Sequence, residues 1–207
     1  MATPPELMQA VSEATGVALP TVVDMDRRLV KAKLRTKGGR GLNAARMTAL
    51  DAARLLTAVL ASPQSNRAAE AVQRHAQTKP DKARSSEKLF AVAGLEDLAG
   101  LPVSHSFEQG LAALIASAAM GSLAKFPPRS FPHIEVFAFT QATHGRIRIS
   151  DLPGGITASV EYVARSSGEG TRGGKAASGD LEQSRRITER TILPVARLFA
   201  EKRHERQ

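Results

Sequence analysis

The spacing of Ser12, Gly16, Val22 and Met25 constrains this chain more than any other feature. Ser12 is small enough for a point where two helices cross closely, and Gly16 can take the positive φ of a tight turn. Val11, Val17, Val22, Met25 and Leu29 are placed to pack the two helices together. Thr3 is a natural cap for the first helix, with Pro4 at its start and Glu6 three residues on, and that helix is expected to reach Thr15. The second is expected from Pro20 to Ala32, because proline in a first turn gives up an N–H that has no intrahelical partner. After Leu34 the run K-G-G-R-G reads as a flexible basic loop. Thr48 then caps a third helix over Ala49–Leu60, with Asp51 near its N-terminus. Leu50, Ala53, Leu56 and Leu60 form its apolar stripe, widened by Leu55 and Val59.

Charge gives this region a function class. From Arg27 to Arg46 there are eight basic residues (Arg27, Arg28, Lys31, Lys33, Arg35, Lys37, Arg40, Arg46) and no acidic one. One-signed charge repels itself, whereas a duplex backbone neutralises it and releases counterions. A charge run alone is usually a solvated face. Here it coincides with the end of a helix and the loop after it, and the whole chain carries a net charge of +9. An acidic partner follows, with nucleic acid ahead of an anionic membrane.

Residues 8–61 resemble a bacterial winged helix-turn-helix domain. The small–Gly–apolar–apolar spacing is similar to that of the helix-turn-helix. The run L-V-K-A-K-L-R-T-K-G-G-R-G-L-N-A-A-R-M-T resembles the passage from recognition helix through wing to the next helix in MarR-like and phage-type regulators. The chain departs from the family in the short stretch before Met8, which leaves the usual first helix missing and the helix after Thr48 to serve as the third. The resemblance implies that Thr21, Asp24, Arg27, Arg28 and Lys31 reach base edges while Val22 and Met25 pack inward. It implies that Lys33, Arg35, Lys37 and Arg40 hold phosphates, with Arg46 in the same basic set and the Gly38–Gly41 loop, Gly38 and Gly39 included, as the wing.

The remaining chain reads as a charged linker over 63–88, helical around Asn66–Gln77, and then an α+β domain over 89–207. The segment T-K-P-D-K-A-R-S-S-E-K looks like a tether, which puts the boundary near Lys79. Phe107–Leu123 is a helix apolar around its circumference, suited to a core or an interface. Ile134–Phe139, Arg146–Ser150 and Ile156–Ala164 read as three antiparallel strands, with Ile147 and Ile149 inward and Arg146 and Arg148 outward as edge protection. Residues 166–179 are low-complexity, a mobile loop, and a closing helix is expected from Asp180 to Arg203. The fold class is therefore α+β: an N-terminal winged helix-turn-helix, and a C-terminal three-stranded antiparallel sheet packed with helices that oligomerises or senses a signal.

No chemistry of catalysis emerges. The chain has no cysteine, which removes disulfides, thiolate zinc sites and cysteine nucleophiles. The loop G-E-G-T-R-G-G-K fails as a phosphate-binding loop, since Glu169 stands where the first glycine belongs and Ala176 follows Lys175. His75, His105, His133, His144 and His204 include no H-x-x-x-H pair, and Ser104-His105-Ser106 with Asp151 lacks a nucleophile elbow. No enzyme, cofactor or metal is expected. There is no signal peptide and no membrane span, so the expectation is a cytoplasmic, nucleoid-associated protein. Its expected role is a sequence-specific regulator of bacterial or prophage type, bound to double-stranded DNA as a homodimer or higher homo-oligomer. A packaging adaptor similar to a phage small terminase subunit and a protein-interaction module are the alternatives.

Overall fold

The computed structural model describes residues 2–37, 45–127, 131–140, 143–164 and 183–200. Among these are seven α-helices and one five-stranded antiparallel sheet, an α+β architecture. The N-terminal elements form as the sequence indicates. Helix α1 spans Pro4–Thr15, and Glu6 accepts from the Thr3 backbone N–H at 2.7 Å and hydroxyl at 2.8 Å. Gly16 ends α1 at φ 73°, and the Ser12 hydroxyl closes the turn by donating to Val17 O at 2.8 Å. Helix α2 covers Leu19–Lys31 and α3 covers Ala49–Ala61. Helix α3 is buried over nearly its whole circumference, Arg54 being the main exception.

The sheet corrects three expectations. It has five strands, not three: β1 (Thr78–Pro80), β2 (His133–Phe139), β3 (His144–Leu152), β4 (Ile156–Ala164) and β5 (Ser184–Thr188), in the order β1-β4-β3-β2-β5. The expected central meander is present as β2 (His133–Phe139), β3 (His144–Leu152) and β4 (Ile156–Ala164). Within the expected linker, helix α4 (Ala68–Ala76) is followed by β1 (Thr78–Pro80), which pairs with β4. The chain stays beside β4 beyond the strand, with Asp81 N–H donating to Glu161 O and Ser86 N–H to Ser159 O, both at 2.7 Å. Pro80 is tolerated there because β1 is an edge strand. The expected closing helix is instead β5 (Ser184–Thr188), paired with β2, followed by α7 (Glu189–Arg197). The switch falls at Thr188, whose hydroxyl accepts from Arg190 N–H at 3.4 Å. The third correction concerns Arg146 and Arg148. They lie on β3, an interior strand, so they guard no edge. The low-complexity segment at 166–179 lies outside the described residues.

One face of the sheet is apolar. Ile134, Val136, Ile147, Ile149, Val160 and Tyr162 are fully buried there beneath α3 and α6 (Phe107–Ala119), the helix after the single turn α5 (Glu96–Ala99). The apolar cluster continues without a break into Leu7, Val11, Val22 and Leu29 of α1 and α2. Helix α7 packs against both α1 and α6, and the Thr191 hydroxyl donates to Ala14 O at 3.1 Å. Arg185 reaches from β5 to cap the end of α3, donating to Val59 O at 2.9 Å and Ser62 O at 3.0 Å. These contacts hold the N-terminal helices in a fixed position on the sheet layer.

Two glycines permit the close approach of α6. A Cβ on Gly145 would sit 2.6 Å from the Phe107 ring, and one on Gly110 would sit 2.0 Å from the Tyr162 hydroxyl oxygen. That hydroxyl lies 2.8 Å from His105 Nε2 and is fully enclosed. Gly110→Ala is therefore expected to cost about 1–3 kcal/mol by overpacking. Tyr162→Phe removes the oxygen the new methyl would strike, so the double variant should be destabilised by less than the sum of the two single effects. Urea denaturation of the four proteins reads this directly, and strictly additive effects would contradict the close approach.

Candidate nucleic-acid interface

Helix α2 separates its residues sharply. Val22, Met25, Asp26 and Leu29 are buried, whereas Thr21, Arg27 and Lys31 are exposed and Asp24 and Arg28 half-buried. At about 100° per residue, Thr21, Asp24, Arg28 and Lys31 fall into one stripe opposite the buried side. Arg27 flanks that stripe. Four of the residues expected to face a groove thus share a line, and the fifth lies beside it.

The end of α2 is held in an uncommon conformation. Leu34 N–H donates to Leu29 O at 2.9 Å and Lys33 N–H to Val30 O at 3.1 Å, a Schellman-type closure. The residue that must turn left-handed is Lys33, at φ 59°, where glycine is the usual occupant. Its exposed side chain continues the basic surface of α2.

Arg35 does something different from the other cations. Its Nε and Nη2 donate to the two carboxylate oxygens of Asp26, each at 2.7 Å, with side-chain exposures of only 8% and 6%. Its Nη1 donates to Thr36 O at 2.8 Å. A guanidinium paired in this way serves the fold, because breaking the pair strands a buried charge. Arg35 is consequently not on the surface with Lys31, Lys33 and Lys37, as binding a phosphate would need.

Asp51 clamps the loop between α2 and α3 at both ends. Its carboxylate accepts from the Thr36 N–H at 2.9 Å and hydroxyl at 3.1 Å, and from the Thr48 N–H at 2.9 Å and hydroxyl at 2.8 Å. Arg54 adds a third tie, donating to Leu34 O at 2.8 Å while pairing with Glu108 of α6 at 3.1 Å. Met47 N–H donates to Ala2 O at 2.9 Å. Lys37 and Arg46 are exposed on the two arms of this loop. Gly38, Gly39, Arg40 and Gly41, the expected wing, lie outside the described residues.

Sequence reasoning placed Asp51 at the start of α3 but not as a tie to Thr36, and it did not find Asp26 or Ser65. Asp26 had a signal, since it is an acid on the apolar side of α2 between Met25 and Leu29. Ser65 had none. It sits in a short 3-10 turn (Ser65–Arg67) that packs along α2, and its hydroxyl donates to Asp24 Oδ2. The Ser65 hydroxyl and the Arg28 guanidinium hold the Asp24 carboxyl below its ordinary value.

The solvent-facing side of the sheet also carries arginines, but they are matched. Glu135 faces Arg186 at 2.7 Å and Arg148 at 3.8 Å, and Glu161 faces Arg146 at 2.6 Å and Arg84 at 4.0 Å. His144 stacks on Phe139 with ring centroids 4.6 Å apart and meets Glu161 at 3.1 Å. His133 bridges Glu189 and Glu135. His105 is buried against Tyr162 and Pro102 O. The three histidines are therefore engaged separately, and no group of metal-ligating side chains able to hold an ion occurs among the described residues. No helix among them is long and apolar enough to cross a membrane. Comparison with family models, curated proteins and solved structures finds no match to this chain.

The loop clamp has a pH signature. Burial pushes the Asp51 carboxyl up, but the N–H and hydroxyl donors of Thr36 and Thr48 outweigh it and hold the group below its ordinary value. Its contribution to stability is therefore complete above the unfolded value of about 3.9 and disappears as pH falls through the lower folded value. Burial itself lowers His75, whose contribution begins to fade earlier, as pH falls below about 6.5. Asp51→Asn is expected to cost roughly 1–2 kcal/mol at neutral pH, through a weakened cap and loss of charge-assisted hydrogen bonds to part-buried donors. It should also flatten the acid limb of stability below about pH 4. Urea midpoints across pH check both. Parallel acid limbs for the two proteins would show that Asp51 does not set the clamp.

Proposed function

We propose that this protein binds double-stranded DNA through the exposed face of α2 and the basic loop that follows, in the manner of a winged helix-turn-helix. The observation that carries the reading is the sorting of charge. The cation the fold uses, Arg35, is buried against Asp26, whereas Arg27, Lys31, Lys33 and Lys37 are exposed on α2 and the chain just after it. A helix width suits the major groove, and exposed lysines beside it suit the flanking phosphates. The left-handed Lys33 supports the same reading, because a strained backbone position carrying a cation is a reason to suspect function. The Asp51 clamp holds Thr36 and Thr48 on one carboxylate, which fixes both described ends of the basic segment beside the start of α3.

A single module of this size covers little DNA, so specific binding calls for two copies. The role we assign is a bacterial or prophage transcriptional regulator acting as a homo-oligomer, with α1, α3 and α4 as the packed base for α2.

The test is the salt dependence of binding to a mixed-sequence duplex, read by fluorescence anisotropy. Replacing Lys31 and Lys37 with alanine should lower the slope of log K against log salt by about 0.9 for each phosphate that is no longer neutralised. Lys33→Gly is the most informative single variant. It relaxes a left-handed residue and so should gain up to about 1 kcal/mol of stability, while still binding duplex more weakly. An unchanged slope in all three variants, with Arg148→Ala as a control on the sheet, would exclude this surface.

A further inference from the structure

We infer that Arg28 reads a guanine, and that Asp24 and Ser65 position it to do so; the inference rests on the duplex-binding reading above. Arg28 Nε donates to Asp24 Oδ2 at 3.0 Å, and the Ser65 hydroxyl donates to the same oxygen. One carboxylate oxygen therefore joins α2 to the 3-10 turn 37 residues beyond Arg28 in the chain. An i,i+4 pair on an exposed helix is weak by itself and leaves a long side chain free to move. The third partner changes this, because the packed turn fixes the carboxylate and the carboxylate fixes the guanidinium at Nε.

With Nε occupied, the Nη1 and Nη2 edge of Arg28 remains, and it has no partner among the described residues. Two parallel N–H donors match guanine, which presents O6 and N7 as two acceptors in the major groove. Adenine presents one acceptor and one donor there and opposes the second N–H. The carboxylate also selects against the backbone. A phosphate beside Arg28 would meet the negative charge of Asp24, whereas the neutral guanine edge meets no such repulsion. Arg27 differs in each respect. It is exposed, flanks the stripe and has no hydrogen-bonded carboxylate among the described residues, so it is suited to a phosphate.

Asp24 and Ser65 are thus positioning residues, and they give an uncommon pair of effects. Asp24→Ala removes a repulsive charge, so binding to random duplex should tighten. It also frees Arg28, so preference for the cognate site should fall. An ion pair that only decorates the surface cannot move these two quantities in opposite directions.

The experiment begins with selection from a random duplex pool by the full-length protein. The cognate duplex is then compared with one in which single guanines are replaced by 7-deazaguanine, which lacks the N7 acceptor. For one guanine per half-site the wild-type protein is expected to bind roughly tenfold more weakly after the replacement. Arg28→Lys and Asp24→Ala should abolish most of that discrimination, Ser65→Ala part of it, and Ser65→Thr should restore it. Asp24→Ala should bind random duplex more tightly than wild type at the same salt. A selected motif with no guanine sensitive to N7, or equal tightening of cognate and random duplex by Asp24→Ala, would overturn the inference while leaving duplex binding intact. If wild type retains no duplex at any salt, the underlying reading fails and the inference with it.

Discussion

Four hydrogen bonds converge on one carboxylate, Asp51, and the candidate interface depends on them. Two of the donors belong to Thr48, where they start α3, and two to Thr36, in the basic segment after α2. A carboxylate is suited to this because it offers several lone pairs at once and favours the positive end of a helix. Helix α3 is the buried centre of the helical layer, touching α1, α2, α4, α6 and the sheet. A loop tied to its first turn is tied to the rigid part of the molecule. Arg54, one turn further along, repeats the arrangement by joining Leu34 to Glu108 of α6. The position of the basic segment is thereby set by the same packing that holds the sheet.

Charge in this protein is divided by use. Of the nearly enclosed carboxylates, Asp26, Glu108, Glu135 and Glu161 each face at least one guanidinium, whereas Asp51 is held by the threonine donors. Such pairs stabilise less than apolar packing, but removing one partner is costly, so they fix geometry rather than add much stability. On the sheet's outward face Arg84, Arg146, Arg148 and Arg186 each have a carboxylate partner, two to each carboxylate, so that face also keeps some positive charge. Within the chain's net charge of +9, α2 with its following segment holds a concentrated share whose exposed lysines have no such partner among the described residues.

Much of the local structure is legible in the sequence. Gly16, Thr3 and Thr48 mark turns and caps through their own conformational preferences, and each stands where a helix ends or begins. Alternation in R-I-R-I-S assigns the faces of β3 correctly. The outer strands are not legible, because β1 and β5 are short and take their identity from partners far along the chain. Thr78 pairs with Ala164, and Arg186 pairs with Phe137. The run S-R-R-I-T carries too few apolar residues to distinguish an edge strand from a helix. Within the interface, the stripe on α2 follows from helical period alone. The inward turn of Arg35 does not, since charge by itself does not show which arginine has a buried acid waiting nine residues earlier.

Duplex binding through α2 is tested most directly by hydrogen–deuterium exchange of the full chain, with and without a saturating mixed-sequence duplex. Slowed exchange is predicted on α2 and residues 32–37, with β2, β3 and β5 unchanged. Protection centred on the Glu135, Arg148 and Arg186 face of the sheet, or no protection anywhere, would contradict it.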